Sequence, residues 1–366
     1  MKKRLLAVIL CVSMVAALTV GCGSSTTEET TTDATEATDD DAATEEDVEE
    51  AVGEVEVGGT YAYVSKAAGN PYNEKQAEGF VAAIEEAGGE AIVKHPESAT
   101  AEDQIAMINE LVAQGVDSIA IAGNDYDALQ PALTAAMEAG IEVSAMDSNV
   151  NPDSRSTFVN QAGTSEIAVT LMDAVLDITG GEGQWAILSA TSQATNQNAW
   201  IDAMKVVMED DAYAGLELVE VAYGDDEYQK SVDQTQALLQ NYPDLECICA
   251  PTTVGIMAAA KVLQDEASAC KLTGLGLPSE MADYIGEDNS CPYMFLWNPI
   301  DVGYLSAYVS IALVSGEITG AAGETFTAGD LGEYTIVEAS DGGTEVILGA
   351  PFKFDSSNID EWKDVY

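Results

Sequence analysis

Residues 101–122 read AEDQIAMINELVAQGVDSIAIA, a helical segment followed by a short apolar run. The helical part places Ile105, Ile108 and Val112 at the spacing of one face of an α-helix. Residues 118–122 are almost all apolar, which at this length is typical of a strand buried on both of its faces. A helix that leads into such a strand indicates a parallel sheet covered by helices.

The same alternation extends from this stretch in both directions. Strands are predicted over 60–65, 90–93, 118–122, 141–146, 184–190, 216–222, 245–250, 272–277 and 293–297. Helices are predicted over 73–88, 101–116, 128–139, 165–179, 198–209, 228–241, 253–264, 278–285 and 299–316. These are more strands than one small sheet holds, and the length suggests two units. The predicted fold class is therefore α/β, with two doubly wound parallel-sheet lobes.

The composition excludes several classes of function. The 366 residues include 64 Asp+Glu against 13 Lys+Arg, for a net charge of −51, so the chain should repel nucleic acid. Its single histidine, His95, leaves little room for a histidine-based metal cage. The phosphate-loop pattern GxxxxGK[ST] is absent, as are HExxH, CxxC and GxSxG. We therefore expect no catalytic residues, no metal and no cofactor.

The N-terminus has the layout of a secretory signal. Residues 1–22 read MKKRLLAVILCVSMVAALTVGC, a basic start followed by an apolar run that is too short to be a typical spanning helix. The ending LTVGC resembles the lipobox of bacterial lipoproteins, which implies that Cys22 is acylated and becomes the first residue of the mature chain. The alternatives are an ordinary cleaved signal and an uncleaved anchor.

Residues 23–57 are predicted to be a disordered acidic tether. From Thr26 to Glu56 the chain carries 14 acidic residues and no basic ones, with no aromatic side chain. Such a segment cannot bury enough apolar surface to offset the entropy of ordering, and its like charges extend it. A lipid followed by a tether predicts anchoring at the extracellular face of the cell membrane, or in the periplasm of a Gram-negative source.

Four cysteines belong to the predicted folded body. Cys247 and Cys249 fall on one face of one strand, a geometry that disfavours a bond between them. Cys270 and Cys291 each precede an apolar run, so they could lie near the same ends of neighbouring strands. They could form a disulfide in an extracellular protein, or they could be two buried free thiols.

Polar and aromatic side chains collect after the predicted strands, where parallel sheets bind ligands. They lie in 66–72, 123–125, 147–149, 191–198, 223–226, 251–253 and 297–299. Amides and carboxylates hydrogen-bond to sugar hydroxyls, and aromatic rings pack on the C–H face of a sugar. Any one of these residues could instead be a helix cap or turn, as Asn196 or Thr253 alone would be. Together they favour a sugar-binding cleft.

Several long stretches resemble a known family. They are ILSATSQATNQNAWIDAM (187–204), YGDDEYQKS (223–231), APTTVGIMAAA (250–260), TGLGLP (273–278) and LWNPIDVGYLSAY (296–308), with weaker likeness in KAAGNPY (66–72) and MDSNVNPDSR (146–155). They are similar to the type I periplasmic-binding-protein superfamily, the sugar-binding components of ABC importers. Within it they resemble the rhamnose-binding proteins, which are related to the autoinducer-2 receptors. The resemblance covers about residues 59–365.

The resemblance implies two lobes joined by a three-segment hinge, with the ligand between them. The N-terminal lobe would comprise 58–160 and 298–331, and the C-terminal lobe 161–297 and 332–366. The crossings would fall near Asn160-Gln161, near Trp297-Asn298 and near 331–334, which makes Asn160, Gln161 and Asn298 the predicted hinge residues.

The resemblance also implies a set of ligand-binding residues. These are Lys66, Asn70, Tyr72, Asn124 and Asp147 from the first lobe, Asn196, Gln197, Thr252 and Thr253 from the second, and Trp297 at the hinge. Autoinducer-2 receptors have Asp at the position of Asn196, and proline-x-alanine where this chain has Pro251-Thr252-Thr253. These departures favour a neutral deoxyhexose, most simply L-rhamnose.

The implied function is a lipid-anchored, monomeric solute-binding protein that delivers a neutral sugar to an ABC permease. One alternative is a receptor for autoinducer-2 or another sugar-like signal on the same scaffold. A second is a glycoside-processing enzyme, which needs two carboxylates about 5–9 Å apart across the cleft. Since Asp147 is the one carboxylate that we place in the cleft, we predict that the protein is not an enzyme.

The lipobox interpretation predicts the behaviour of Cys22→Ala. Without the acyl acceptor, the protein should no longer incorporate a labelled fatty acid, as metabolic labelling followed by gel electrophoresis would show. Cys11→Ala, within the apolar run, is the matched control and should be labelled like wild type. Equal labelling of Cys22→Ala and wild type would contradict acylation at Cys22.

Overall fold

The computed structural model of the protein describes residues 58–366. The predicted signal (1–22), Cys22 and the predicted tether (23–57) lie outside the described residues. Within the described range, none of the helices combines the length and the apolar character needed to cross a membrane.

The described chain contains fifteen strands. They are β1 Thr60–Val64, β2 Glu90–Lys94, β3 Ser118–Ile121, β4 Glu142–Met146, β5 Thr157–Asn160, β6 Gly183–Ser189, β7 Leu216–Tyr223, β8 Leu245–Ala250, β9 Lys271–Gly274, β10 Tyr293–Leu296, β11 Thr325–Thr327, β12 Glu333–Thr335, β13 Val337–Glu338, β14 Thr344–Ile347 and β15 Phe352–Asp355.

Ten α-helices lie among these strands in the same range. They are α1 Pro71–Glu86, α2 Ala101–Gln114, α3 Gln130–Glu138, α4 Thr164–Thr179, α5 Thr195–Val207, α6 Tyr228–Asn241, α7 Thr253–Asp265, α8 Pro278–Met281, α9 Pro299–Ser315 and α10 Ile359–Trp362. The predicted α/β class with parallel sheets is confirmed.

The first lobe is built on a seven-stranded sheet in the order β13-β14-β5-β4-β3-β1-β2. Its strands are parallel except for the antiparallel pair β13–β14. Within β1, Tyr61 and Tyr63 pack in one core cluster, while Ala62 and Val64 pack in another on the opposite face. This two-sided burial is why the strand has an almost continuous apolar sequence.

The second lobe is built on a four-stranded parallel sheet in the order β7-β6-β8-β9. A bridge between Leu275 and Phe295 places β10 beside β9, and β15 pairs with β10 in the antiparallel sense. The four cysteines of this lobe are buried free thiols. The open question of a Cys270–Cys291 disulfide is thereby answered in favour of free thiols.

The tail of the chain differs from the prediction. Residues 332–366 were all assigned to the C-terminal lobe, but β13 and β14 join the first sheet, where Val346 pairs in parallel with Val159. The third crossing therefore follows Ile347 rather than lying at 331–334. The pairing was hidden because these strands are short and half-exposed, and Val346 is the one fully buried residue of β14.

Helices α1 and α9 pack with their backbones in close contact. Gly79 of α1 and Gly303 of α9 lie at this contact. A Cβ atom on Gly79 would stand 1.9 Å from the carbonyl oxygen of Ile300, and one on Gly303 would stand 1.9 Å from that of Gln76. Because α1 follows the loop after β1, this contact fixes the position of that loop relative to the first sheet.

We predict that Gly79→Ala destabilises the fold. The added methyl group meets backbone rather than a movable side chain, so the helices must separate, at a cost of about 1–3 kcal/mol or more. Urea unfolding followed by circular dichroism should show a lower midpoint. Gly349→Ala, where a Cβ meets nothing within 4 Å, is the control and should unfold close to wild type. Equal midpoints for both variants would show that the backbone contact is not constraining.

Candidate functional site

A pocket lies between the lobes, at the carboxyl ends of the parallel strands, and the space between its atoms, including its solvent-open part, is about 390 Å³. Nine of the ten predicted ligand residues line it: Lys66, Asn70, Tyr72, Asp147, Asn196, Gln197, Thr252, Thr253 and Trp297. The helices α1, α5 and α7 begin at or beside these residues. Their first turns therefore bring side chains from both lobes to one place.

Asp147 lines the pocket and lies directly after β4. Its backbone has a φ of 60°, a left-handed conformation that is unusual for an aspartate, and its N–H donates to Val159 O at 3.0 Å. Its Oδ1 accepts from the Tyr72 hydroxyl at 2.8 Å, and its Oδ2 accepts from Asn196 Nδ2 at 3.3 Å. One carboxylate thus contacts donors from both lobes.

The ionisation of this carboxylate reflects its burial. Desolvation raises the pKa of Asp147 above the usual carboxyl value, while the charge of Lys66 and the hydrogen bond from Tyr72 act in the opposite direction. Burial, with the nearby charge of Asp147, also raises the pKa of the Tyr72 phenol well above 10. Tyr72 therefore stays neutral and remains a donor.

Two tryptophan side chains, Trp200 and Trp297, line the pocket. Trp297 Nε1 donates to the Tyr72 hydroxyl at 2.6 Å, so the indole, the phenol and Asp147 form one continuous chain of hydrogen bonds. The Trp200 ring meets the Trp297 ring edge-on, with centroids 5.8 Å apart and planes at 64°. Such rings provide flat apolar surface beside polar groups, as a sugar ring requires.

The second lobe contributes the first turn of α5. Asn196 Oδ1 accepts from Lys66 Nζ across the cleft at 3.3 Å and from the Gln197 N–H at 2.9 Å. The Gln197 side chain is buried, and its Oε1 has no hydrogen-bond partner among the described residues. Because a buried carbonyl oxygen without a partner is costly, Gln197 is suited to accept a hydrogen bond from a ligand.

The start of α7, like that of α5, faces the first lobe across the pocket. Thr253 Oγ1 lies 3.5 Å from Asn70 Oδ1, and Asn70 also caps α1 by accepting from the Tyr72 N–H at 3.0 Å. Thr252 Oγ1 donates to Asp226 Oδ1 at 3.2 Å. Both threonines, which the resemblance placed among the ligand-binding residues, therefore lie in the lining of the pocket.

The structure places Asn124 behind the pocket rather than on its wall. Its Nδ2 donates to the carbonyl oxygen of Lys66 at 2.8 Å, and its N–H donates to Gln104 Oε1 at 2.8 Å. With its amide committed to the backbone of the Lys66 loop, Asn124 holds that loop in position. It does not line the cavity.

The predicted hinge residues lie at or shortly after the ends of β5 and β10. Asn160 ends β5 and donates to Glu345 Oε2 at 2.8 Å, while Gln161 is fully buried beside it. Asn298 caps α9 by accepting from the Ile300 N–H at 3.0 Å. Between β5 and β6 the chain passes from the first sheet to the second, and after β10 it returns to the first sheet through α9, which contacts β3 and β4. That Asn160, Gln161 and Asn298 act as a hinge stays a prediction.

Six pocket residues were not in the predicted set: Asn73, Trp200, Asp226, Pro251, Leu275 and Leu296. Trp200 stands four residues after Asn196 on one helix, and this spacing was a signal that could have found it. Asp226 corrects the expectation that Asp147 is the one carboxylate in the cleft. Its turn follows β7, and residues 225 and 226 both have positive φ.

The described residues offer little for a metal ion or a reactive thiol. Within 58–366 the structure holds no group of three or more His, Cys, Asp or Glu side chains suited to a metal. Burial raises the pKa of Cys249 and of Cys270 to about 12, so neither thiol is ionised at neutral pH.

Comparisons with known proteins agree with this architecture. A family model described as a periplasmic binding protein domain matches residues 61–318. The crystal structure of an ABC transporter solute-binding protein from Clostridium phytofermentans with bound L-rhamnose is 62% identical, with a TM-score of 0.83. The alignment covers 84% of this chain and 99% of that one.

Two further solved structures extend the comparison. A sugar ABC transporter from Actinomyces odontolyticus is 41% identical, with a TM-score of 0.67, and the match covers 84% of this chain and 98% of that one. LsrB from Clostridium saccharobutylicum in complex with AI-2 is 20% identical, with a TM-score of 0.77, and covers 83% and 99%. At that identity the likeness is one of fold alone.

The raised pKa of Asp147 predicts a pH-dependent stability difference. The folded protein binds the proton of the Asp147 carboxyl group more tightly than the unfolded chain does. The contribution of this proton binding to the free energy of unfolding is therefore fully present below about pH 3.9, and it is lost as the pH rises through the raised pKa. The wild type therefore loses free energy of unfolding as the pH rises from 4 to 7, whereas Asp147→Asn does not lose this contribution. The difference between the variant and the wild type should shift in favour of the variant over this range.

Urea unfolding at several pH values would measure this difference. Asp288→Asn, at an exposed aspartate, is the surface control. A difference between Asp147→Asn and wild type that does not change with pH would contradict the effect of burial on Asp147.

Proposed function

Because this chain belongs to the periplasmic binding protein domain family, we propose that it is the solute receptor of a carbohydrate ABC importer. Its ligand is a neutral monosaccharide, L-rhamnose before others, bound between the two lobes. The observation that carries this proposal is the chain of hydrogen bonds that runs from Lys66 through Asn196, Asp147 and Tyr72 to Trp297. Each group in it can donate to or accept from a hydroxyl.

The same groups explain how ligand binding closes the lobes. Lys66, Asp147 and Tyr72 belong to the first lobe, whereas Asn196 and Thr253 belong to the second. A sugar that contacts both sets binds the closed arrangement more tightly than the open one, and this difference in affinity drives closure. The permease then recognises the closed receptor.

The charges around the pocket favour a neutral ligand. Asp147 and Asp226 face it from opposite lobes, and Lys66 is the one basic residue in its described lining. An ionised Asp147 can accept hydrogen bonds from two neighbouring hydroxyls at once. A sugar acid would bring a second buried negative charge to this carboxylate and should be rejected.

The assignment of a deoxyhexose ligand rests on the apolar side chains that line the pocket and on the ligand of a related protein. Leu275, Leu296 and the two tryptophans line the pocket and can contact a methyl group. The 62% identical solute-binding protein holds L-rhamnose in its crystal structure, which supports the same ligand here. An added hydroxyl in such surroundings costs about 1–3 kcal/mol when it finds no partner.

The cellular setting follows from the N-terminal sequence. We propose that Cys22 carries a lipid and that residues 23–57 tether a monomeric receptor to the outer face of the membrane. The receptor has no catalytic role in this proposal, because capture and release need no covalent step. Lys66 then acts as a hydrogen-bond donor to Asn196 and to the sugar.

The sugar assignment predicts calorimetric behaviour. L-Rhamnose should bind with a 1:1 stoichiometry, and L-mannose, which differs by the C6 hydroxyl, should bind more weakly. Asp147→Ala should weaken L-rhamnose binding roughly 10- to 150-fold, because hydrogen bonds to a charged group contribute about 1.5–3 kcal/mol. Asp288→Ala, on the surface, is the control.

The outcome of the same titrations separates the alternatives. Absence of heat with L-rhamnose, together with binding of autoinducer-2, would move the protein to the signal-receptor class. Product formation from aryl rhamnosides would indicate an enzyme that uses the two aspartates of the pocket. Unchanged affinity in Asp147→Ala would refute the role of this carboxylate.

A further inference from the structure

A second cavity adjoins the pocket described above, which we now call the inner pocket. The space between the atoms of this outer pocket, including its solvent-open part, is about 780 Å³, against about 390 Å³ for the inner one. Asp147, Asn196 and Trp200 line both cavities. Those three side chains are therefore a shared wall, and the outer pocket continues the cleft toward Asn160 and the β13–β14 hairpin.

The walls of the outer pocket have the chemistry of a carbohydrate site. Tyr126, Phe158 and Trp200 provide aromatic surface, and Asn149 and Asn160 provide amides. At the first position of α5, Thr195 Oγ1 is buried without a hydrogen-bond partner among residues 58–366. Flat rings with amides and an unpaired hydroxyl match a sugar ring with its hydroxyls.

The charges of this cavity exclude anionic groups. Asp341 pairs with the buried Arg155 at 2.8 Å and also accepts from Tyr126 at 3.1 Å and Asn149 at 2.9 Å. Glu345 accepts from Asn160, and Asp147 adds another carboxylate. A phosphate or uronate would meet net negative charge here, so an anionic occupant is disfavoured.

The contact that separates the two pockets joins a residue of the first lobe to a residue of the second. Asn196 Nδ2 and Asp147 Oδ2 are 3.3 Å apart, at the long end of the hydrogen-bond range. Because Asn196 belongs to the second lobe and Asp147 to the first, a small opening of the hinge parts them without rearranging either lobe. A glycosidic bond can then pass between the inner and outer pockets.

We infer that the outer pocket is a second sugar subsite and that the receptor takes neutral rhamnosyl disaccharides as well as the monosaccharide. The deoxyhexose occupies the inner pocket, and the sugar linked to it lies against Tyr126 and Phe158. This inference rests on the proposed function, since it takes the inner pocket to be the site of a deoxyhexose.

Filling the outer pocket tests the inference. Ala199 lines the outer pocket alone, and Ala199→Trp should occupy it from the second lobe. Ser340→Trp should do so from the β13–β14 hairpin, which guards against misfolding of one variant. Val206→Trp, on the same helix at an exposed position, is the matched control. The probes for calorimetry are L-rhamnose and an α-linked rhamnose disaccharide.

We expect wild type to bind the disaccharide at least as tightly as L-rhamnose. Both filled variants should lose at least tenfold in affinity for the disaccharide and keep L-rhamnose within about threefold of wild type, while Val206→Trp changes neither. Binding of L-rhamnose without the disaccharide, or an equal loss of both sugars in the filled variants, would overturn the second subsite and leave the proposed function standing. Binding of neither sugar to wild type would overturn both.

Discussion

The site depends on one buried carboxylate placed where two lobes meet. Asp147 is almost fully buried, and its backbone is held in a left-handed conformation that few residues adopt. A buried charge is tolerated only with donors around it, and here they come from Tyr72, Asn196 and the nearby Lys66. The position of Asp147 therefore constrains α1, α5 and the loop after β1 together.

The rest of the architecture serves to bring those donors together. Parallel strands direct every connecting loop of a lobe to one edge, so Lys66 and Asp147 converge although 80 positions separate them in the chain. The close contact between Gly79 and α9 sets the position of α1, and Asn124 holds the Lys66 loop from behind. Residues outside the pocket thus determine the positions of the side chains that line it.

Much of the site was predictable because strand ends and family motifs coincide. Nine of the ten predicted residues line the pocket. Asn124 was misjudged because its side chain turns toward the backbone, which no spacing rule reveals. Asp226 belongs to a strand-end segment that was expected near the cleft, but it was not among the predicted ligand residues. The β13–β14 hairpin was missed because its strands are too short and too exposed to give a pattern.

The sequence by itself determined the alternation of strands and helices and the acidic character of the chain, and it predicts a signal and a tether before the body. These features are local, since periodicity and charge are set by neighbours in the chain. Only the tertiary structure decided that β14 pairs with β5, that the carboxylates of Asp147 and Asp226 share one pocket and that a second cavity adjoins it. Such relations join residues distant in sequence, and they exist only once the two sheets are packed.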